Sequence, residues 1–194
     1  MNALAARATF TQLKGVTEEQ FAPLRPATEQ FRATLPDRIL RALARMGGEY
    51  DGFPVDRLEH SLQTATLALN DGRDEEYVFC ALVHDLGDEL AFYNHGDLAA
   101  AVVEPFVSPA NHWLVKNHPV FQGYYYWQHI GKDPLTVEAL RGHPHFQHTW
   151  DFVELYDQRA FDPAIASLPL AAFEPIVRRV TAQPHPLYAP EITP

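Results

Sequence analysis

Histidine is the chemically suggestive residue of this chain: ten occur in 194 residues, beside a single cysteine. His84 and Asp85 stand together at the end of the apolar run Tyr77 to Val83, and Gly87 follows two residues later. Adjacent residues on a helix point to different faces, so the two can share one ion only near a helix end, which Gly87 supplies. An ionised Asp buried beside a His costs several kcal/mol unless a metal or another cation compensates. Taken alone, the dipeptide reads first as a capping Asp beside a core histidine. Its company changes that reading. His60 lies in Leu58-Glu59-His60-Ser61-Leu62-Gln63 and Asp157 in Leu155-Tyr156-Asp157-Gln158, with His95 and His118 between. Separate helices could point His60, His84, Asp85 and Asp157 at one ion in a bundle core. Asp85 could bridge to a second ion held by His95 and His118. Imidazole and carboxylate without thiolate suit iron, manganese or zinc. The second ion, with three protein ligands, keeps positions open for a chelating substrate or for oxygen. His112 competes with His95, but its offset from His118 puts those two on different helix faces.

The elements that must position these residues read as helices almost throughout, because apolar residues recur at spacings of three and four. A broken helical pair spans about Thr17 to Leu35, interrupted by Pro23 and Pro26, and a short helix runs from Pro36 to about Met46. The His60 helix spans about Val55 to Leu69 and stops at Asn70-Asp71-Gly72; the His84 helix is capped by Asp74 and ends at Gly87. Asn94 to Phe106 is a small-residue helix able to approach a neighbour closely. Ser108-Pro109 opens the His118 helix, which Pro119 bends before it continues towards Ile130. Further helices start at Pro134, run from His148 to Gln158, and run from Pro169 to Val180; the proline-rich end, 183–194, is expected to drape as a tail. The expected fold class is all-α, a single domain over 1–194 with its ligand-bearing core at about 50–161.

Composition removes several function classes. The net charge is −10 and the 15 basic residues are scattered, so a nucleic-acid or anionic-membrane partner is not expected. Cys80 alone allows neither an internal disulfide nor a cysteine zinc site, which points to a reducing compartment. Residues Met1 to Lys14 carry no apolar stretch of signal type, and nowhere do 18 apolar residues run together. The expectation is a soluble, cytoplasmic protein, its oligomeric state left open.

The order His, His-Asp, His, His, Asp resembles the six-ligand HD-domain proteins, most closely the mixed-valent di-iron oxygenases that include myo-inositol oxygenase and the phosphonate-cleaving enzymes. Tyr50-Asp51-Gly52, then Leu58 to Gln63, then Ala81-Leu82-Val83-His84-Asp85-Leu86-Gly87, is similar to the phosphonate branch in identity and spacing; the likeness covers about Tyr50 to Phe161. The resemblance implies an HD-domain helical bundle with a dinuclear site in its core. Two iron ions, Fe(II) and Fe(III), would be held by His60, His84, Asp85, His95, His118 and Asp157. It also implies O2 as co-substrate and cleavage of the carbon–phosphorus bond of a 1-hydroxyphosphonate to phosphate and a carboxylate. Tyr50 matches the tyrosine that covers the vacant iron position until substrate displaces it, a catalytic role beside that of the bridging Asp85; otherwise it is an ordinary loop tyrosine.

Departures from the family bear on substrate. Asp88 stands where many HD proteins have His or Lys, Gln122 where the aminoethylphosphonate relatives have lysine, and Glu154 where they have arginine. Neutral or acidic groups in place of basic ones favour a substrate with a permanent positive charge. Tyr124-Tyr125-Tyr126-Trp127, with Phe92, Tyr93 and Trp113, could hold a quaternary ammonium group by cation–π attraction, although any one of these rings can simply pack. The combination resembles oxygenation of (R)-1-hydroxy-2-(trimethylamino)ethylphosphonate to phosphate and glycine betaine. The expected substrate contacts are Tyr50, Asp88, Gln122, Tyr126, His143 and Glu154. His143 is expected as a hydrogen-bond donor from the loop His143-Pro144-His145-Phe146-Gln147-His148. Arg57, Arg141, Arg159, Arg178 and Arg179 are unranked candidates for a phosphonate anchor. The alternative function is an HD-domain phosphohydrolase using redox-inert metals against a phosphate ester.

Overall fold

The computed structural model describes residues 7–48, 50–182 and 184–185. The chain divides into two compact units, residues up to Ile39 and residues from Leu40 onward. Every described element is helical, and no strand occurs among the described residues.

In the first unit, α1 (Glu18–Phe21) starts in a capping box: Thr17 accepts the Gln20 N–H while the Gln20 side chain accepts the Thr17 N–H. Helix α2 (Leu24–Ala33) follows Pro23, and neither α1 nor α2 has a buried residue. The break expected between Thr17 and Leu35 falls at Ala22 and Pro23, whereas Pro26 lies inside α2 and does not interrupt it. Helix α3 (Leu35–Arg45) carries the boundary between the units within it, with Ile39 buried on one side of that boundary and Leu43 on the other.

The second unit holds α4 (Arg57–Asn70), α5 (Glu75–Val83), α6 (His95–Val103), α7 (Pro109–Tyr126), α8 (Phe146–Leu155) and α9 (Leu170–Val180). Their starts are set by side-chain caps that satisfy otherwise orphaned N–H groups. Asp56 accepts from Glu59 N–H at 2.7 Å, Asp74 from Tyr77 N–H at 2.8 Å and Ser108 from Asn111 N–H at 3.3 Å. Helix α5 is the centre of the core. Its residues Tyr77 to Val83 are all buried, and it packs against α4, α7 and α9. An apolar helix buried all round needs neighbours on each side. Phe79, Phe121, Phe152 and Phe173 are the core's largest fully buried rings.

Three expectations need adjusting. Glu104–Phe106 is a 3₁₀ turn rather than the end of α6, and the segment after Asp133 is a 3₁₀ run, Pro134–Leu140. Helix α8 begins at Phe146 and stops at Leu155, so Asp157 sits on a separate 3₁₀ turn, Asp157–Arg159. Tyr156 breaks the helix (φ −126°, ψ −63°), its hydroxyl donating to Asp71 at 2.5 Å and accepting from Arg73 Nε at 2.7 Å. Helix α7 runs on through Pro119 without ending. The expected tail falls outside the described residues except 184–185, where His185 N–H donates to the Pro105 carbonyl at 2.6 Å. No helix among the described residues is long and apolar enough to cross a membrane.

Candidate metal centre

Five pieces of chain deliver the six candidate ligands to one place. His60 lies in the first turn of α4, His84 caps the end of α5 and Asp85 begins the turn beyond it. His95 is the first residue of α6, His118 lies in the middle of α7, and Asp157 opens the turn after α8. His60, His84, Asp85, His118 and Asp157 are all buried, whereas the His95 side chain keeps 19% of its surface.

The ligand atoms fall into two groups that share Asp85. In the first, the Nε2 atoms of His60 and His84 are 3.1 Å apart, and Asp157 Oδ1 lies 3.2 Å from one and 3.7 Å from the other. Asp85 Oδ2 is 3.4 Å from both. In the second, Asp85 Oδ1 is 3.1 Å from His118 Nε2 and 3.4 Å from His95 Nε2, and those two nitrogens are 3.3 Å apart. Donors held at about 2.0–2.2 Å from an ion sit roughly 3.0–3.4 Å from one another, in octahedral and tetrahedral arrangements respectively. Every distance above has that spacing except His84 Nε2 to Asp157 Oδ1, which is 3.7 Å. His95, rather than His112, joins His118 and Asp85.

The chemistry of the donors fits a metal equally well. Three imidazoles are fixed through Nδ1, which donates to backbone carbonyls: His60 to Ala160 at 2.9 Å, His84 to Ala81 at 2.8 Å and His118 to Val115 at 2.7 Å. A carbonyl only accepts, so Nδ1 carries the hydrogen and a neutral ring turns the lone pair of Nε2 inward. Those lone pairs converge on two carboxylates, an arrangement that needs a cation. Asp157 Oδ2 is buried without any hydrogen-bond partner, the kind of orphaned oxygen an ion would satisfy.

Protons meet part of that need when the metal is absent. Burial works against a charge on His84, but Asp85 and Asp157 outweigh it and raise its pKa to about 9. Burial would also raise Asp85 and Asp157. The imidazoles around them hold both carboxyls below the ordinary range instead: His84 and His118 act on Asp85, and His60 and His84 on Asp157. Burial lowers His118.

Around these six, the expected substrate contacts separate. Gln122 Nε2 donates to Asp157 Oδ1 at 2.8 Å, so it touches the centre by orienting a candidate ligand. Asp88 points Oδ1 at His95 Nδ1, 3.4 Å away, and Oδ2 at Arg57 Nε, 3.0 Å away. Glu154 accepts from the Tyr125 hydroxyl, one helical turn from Gln122, while Tyr126 is 41% exposed. His143 stacks flat on Trp113 with ring centroids 4.1 Å apart, and its Nδ1 accepts the His145 N–H. That ring is held by packing and makes no hydrogen bond to the centre. Tyr50 is 55% exposed and makes none either. It opens the tight turn 50–53, where Asp51 and Gly52 both have positive φ (46° and 86°) and Phe53 N–H donates to the Tyr50 carbonyl at 2.7 Å. Two partners were not foreseen from sequence: the Ala160 carbonyl and the ring of Phe161, which stacks on His60 at 4.4 Å. Phe161 is four residues past Asp157, a separation that carries no signal until the turn at 157–159 is formed.

No protein-family model matches the chain. Among curated proteins it is similar to the (1-hydroxy-2-(trimethylamino)ethyl)phosphonate dioxygenase (glycine-betaine-forming) of Leisingera caerulea. The two are 33% identical over 113 residues, covering 50% of this chain and 58% of the relative. The chain thus spans less than two thirds of the length of the relative it matches.

Proposed function

We propose that the chain is an HD-domain di-iron oxygenase that cleaves the carbon–phosphorus bond of a 1-hydroxyphosphonate. The substrate we assign is (R)-1-hydroxy-2-(trimethylamino)ethylphosphonate, giving phosphate and glycine betaine. The single observation that carries the reading is Asp85, with one carboxylate oxygen in each of two groups of candidate ligands. The partial relative supports the substrate. His60, His84, Asp157 and Asp85 would hold one ion, and Asp85, His95 and His118 the other. Iron in those positions supplies redox chemistry toward O2 and an anchor for the hydroxyl and phosphonate oxygens.

The balance is simple. One O2 takes four electrons from the hydroxyphosphonate; one of its atoms ends in the new carboxylate and the other in phosphate, so no external reductant is needed. The chain's own residues orient and enclose. Gln122 steadies Asp157, three backbone carbonyls fix three imidazoles, and the carboxylate of Glu154 with the Tyr125 ring beside it suits a trimethylammonium head.

Phosphate release and O2 uptake should be measured together on iron-loaded protein given this substrate. The expected result is one phosphate and one betaine per O2, with no phosphate released anaerobically. Release of phosphate from phosphate esters without O2 would replace the reading with an HD-domain phosphohydrolase.

A further inference from the structure

We propose that Asp88, clamped by Arg57, is a positioning residue for His95 and so decides whether the second ion position fills. The inference rests on the dinuclear reading above. His60, His84 and His118 are buried and locked through Nδ1 to backbone carbonyls at 2.7–2.9 Å. His95 differs in each respect. It is partly exposed, it follows Asn94, which makes no side-chain cap, and its Nδ1 faces a carboxylate instead of a carbonyl.

The carboxylate is itself held. Asp88 Oδ2 pairs with Arg57 Nε at 3.0 Å, and the Arg57 guanidinium lies 4.7 Å over the Phe53 ring with Asp51 Oδ2 3.9 Å from its Nε. Asp88 N–H also donates to the Asp85 carbonyl at 2.9 Å, so one turn of chain carries both the shared carboxylate and the group behind His95. That turn lies hard against the start of α6. A Cβ placed on Gly87 would stand 2.4 Å from the His95 carbonyl oxygen, an approach open only to glycine. Distance, charge and backbone proximity therefore all direct Asp88 to His95.

A carboxylate behind an imidazole fixes its tautomer and ring orientation and makes the opposite nitrogen a stronger donor, and loss of such a partner costs about 10–100-fold in metal affinity. The cost should fall on the second ion alone, because His95 belongs to that group only.

The test is titration of metal-free full-length protein with Mn(II), followed by EPR, which separates isolated from coupled ions. Wild type should take up two ions. Asp88→Ala should bind the first as wild type does and the second about 10–100-fold more weakly. Asp88→Asn, which keeps an acceptor oxygen facing Nδ1 but loses the charge, should fall between, and Arg57→Ala should weaken the second ion less than Asp88→Ala does. Retention of the first ion shows that each variant is folded. Uptake of both ions by Asp88→Ala with wild-type affinity overturns the inference, as does equal loss of both. Fewer than two ions in wild type overturns the dinuclear reading instead.

Discussion

Asp85 and His118 allow the two ion positions to be told apart by single substitutions. His118 belongs to the second group only, through Asp85 Oδ1 and His95, while Asp85 has an oxygen in each. Replacing His118 with Ala should leave one ion per chain after dialysis and abolish turnover. Asp85→Asn removes the negative charge shared by both positions and should weaken both ions, leaving less than one per chain. Elemental analysis of the dialysed proteins checks this, and retention of two ions by His118→Ala would sink the assignment. The order of the six residues was legible in sequence because each ligand type is chemically distinctive. The groups behind them were not. Asp88 was expected at the substrate, since nothing in a linear sequence says that the turn 85–88 folds back on His95.

At the scale of elements, Pro119 is the informative residue. In an unbroken helix its N–H would bond the Val115 carbonyl four residues back, and proline has no N–H to offer. The freed carbonyl is the one that accepts from His118 Nδ1 at 2.7 Å. Helix α7 tolerates the missing bond because a side chain has taken it over. His84 uses the same device at a helix end, bonding the Ala81 carbonyl where α5 stops at Val83. Pro119→Ala restores a competing backbone donor and should free the His118 ring. The expected outcome is several-fold weaker binding of the second ion with the first unchanged, read in the same Mn(II) titration; unchanged binding of the second ion would show that the carbonyl plays no part. The bond from His118 to the Val115 carbonyl was not legible in sequence, because the rule for proline counts the lost bond and not the side chain able to replace it. Helix starts were legible at Asp74 and Ser108, where one cap suffices. The change to a 3₁₀ turn at Asp157 was not, because it depends on Tyr156 reaching Asp71 and Arg73 across the fold.

Over the whole molecule five of the six candidate ligands are buried where a core would otherwise be apolar, so an ion held there would link metal loading to stability. In the metal-free protein the proton on His84 replaces part of the missing positive charge. Its folded pKa of about 9 lies above the ordinary histidine value of 6.5, so its stabilisation is complete below 6.5 and is lost as pH rises through 9. Asp85 and Asp157 have the opposite sign: their folded pKa values are depressed, so their contribution is present above the ordinary carboxylate value of 3.8 and is lost on acidification below it. His118, lowered by burial, adds to the acid side, favouring the fold above 6.5. Chelated protein should therefore show a melting temperature that falls on both sides of neutrality, with the alkaline fall spread between about pH 6.5 and 9. An ion bound at the site would take the place of that proton. Loaded protein should melt higher at every pH above neutral, and its alkaline fall over that window should vanish, since no His84 proton remains to be lost. Thermal scans of chelated and loaded protein from pH 6 to pH 10 decide the matter: parallel curves would mean that the ion does not bind where the proton was.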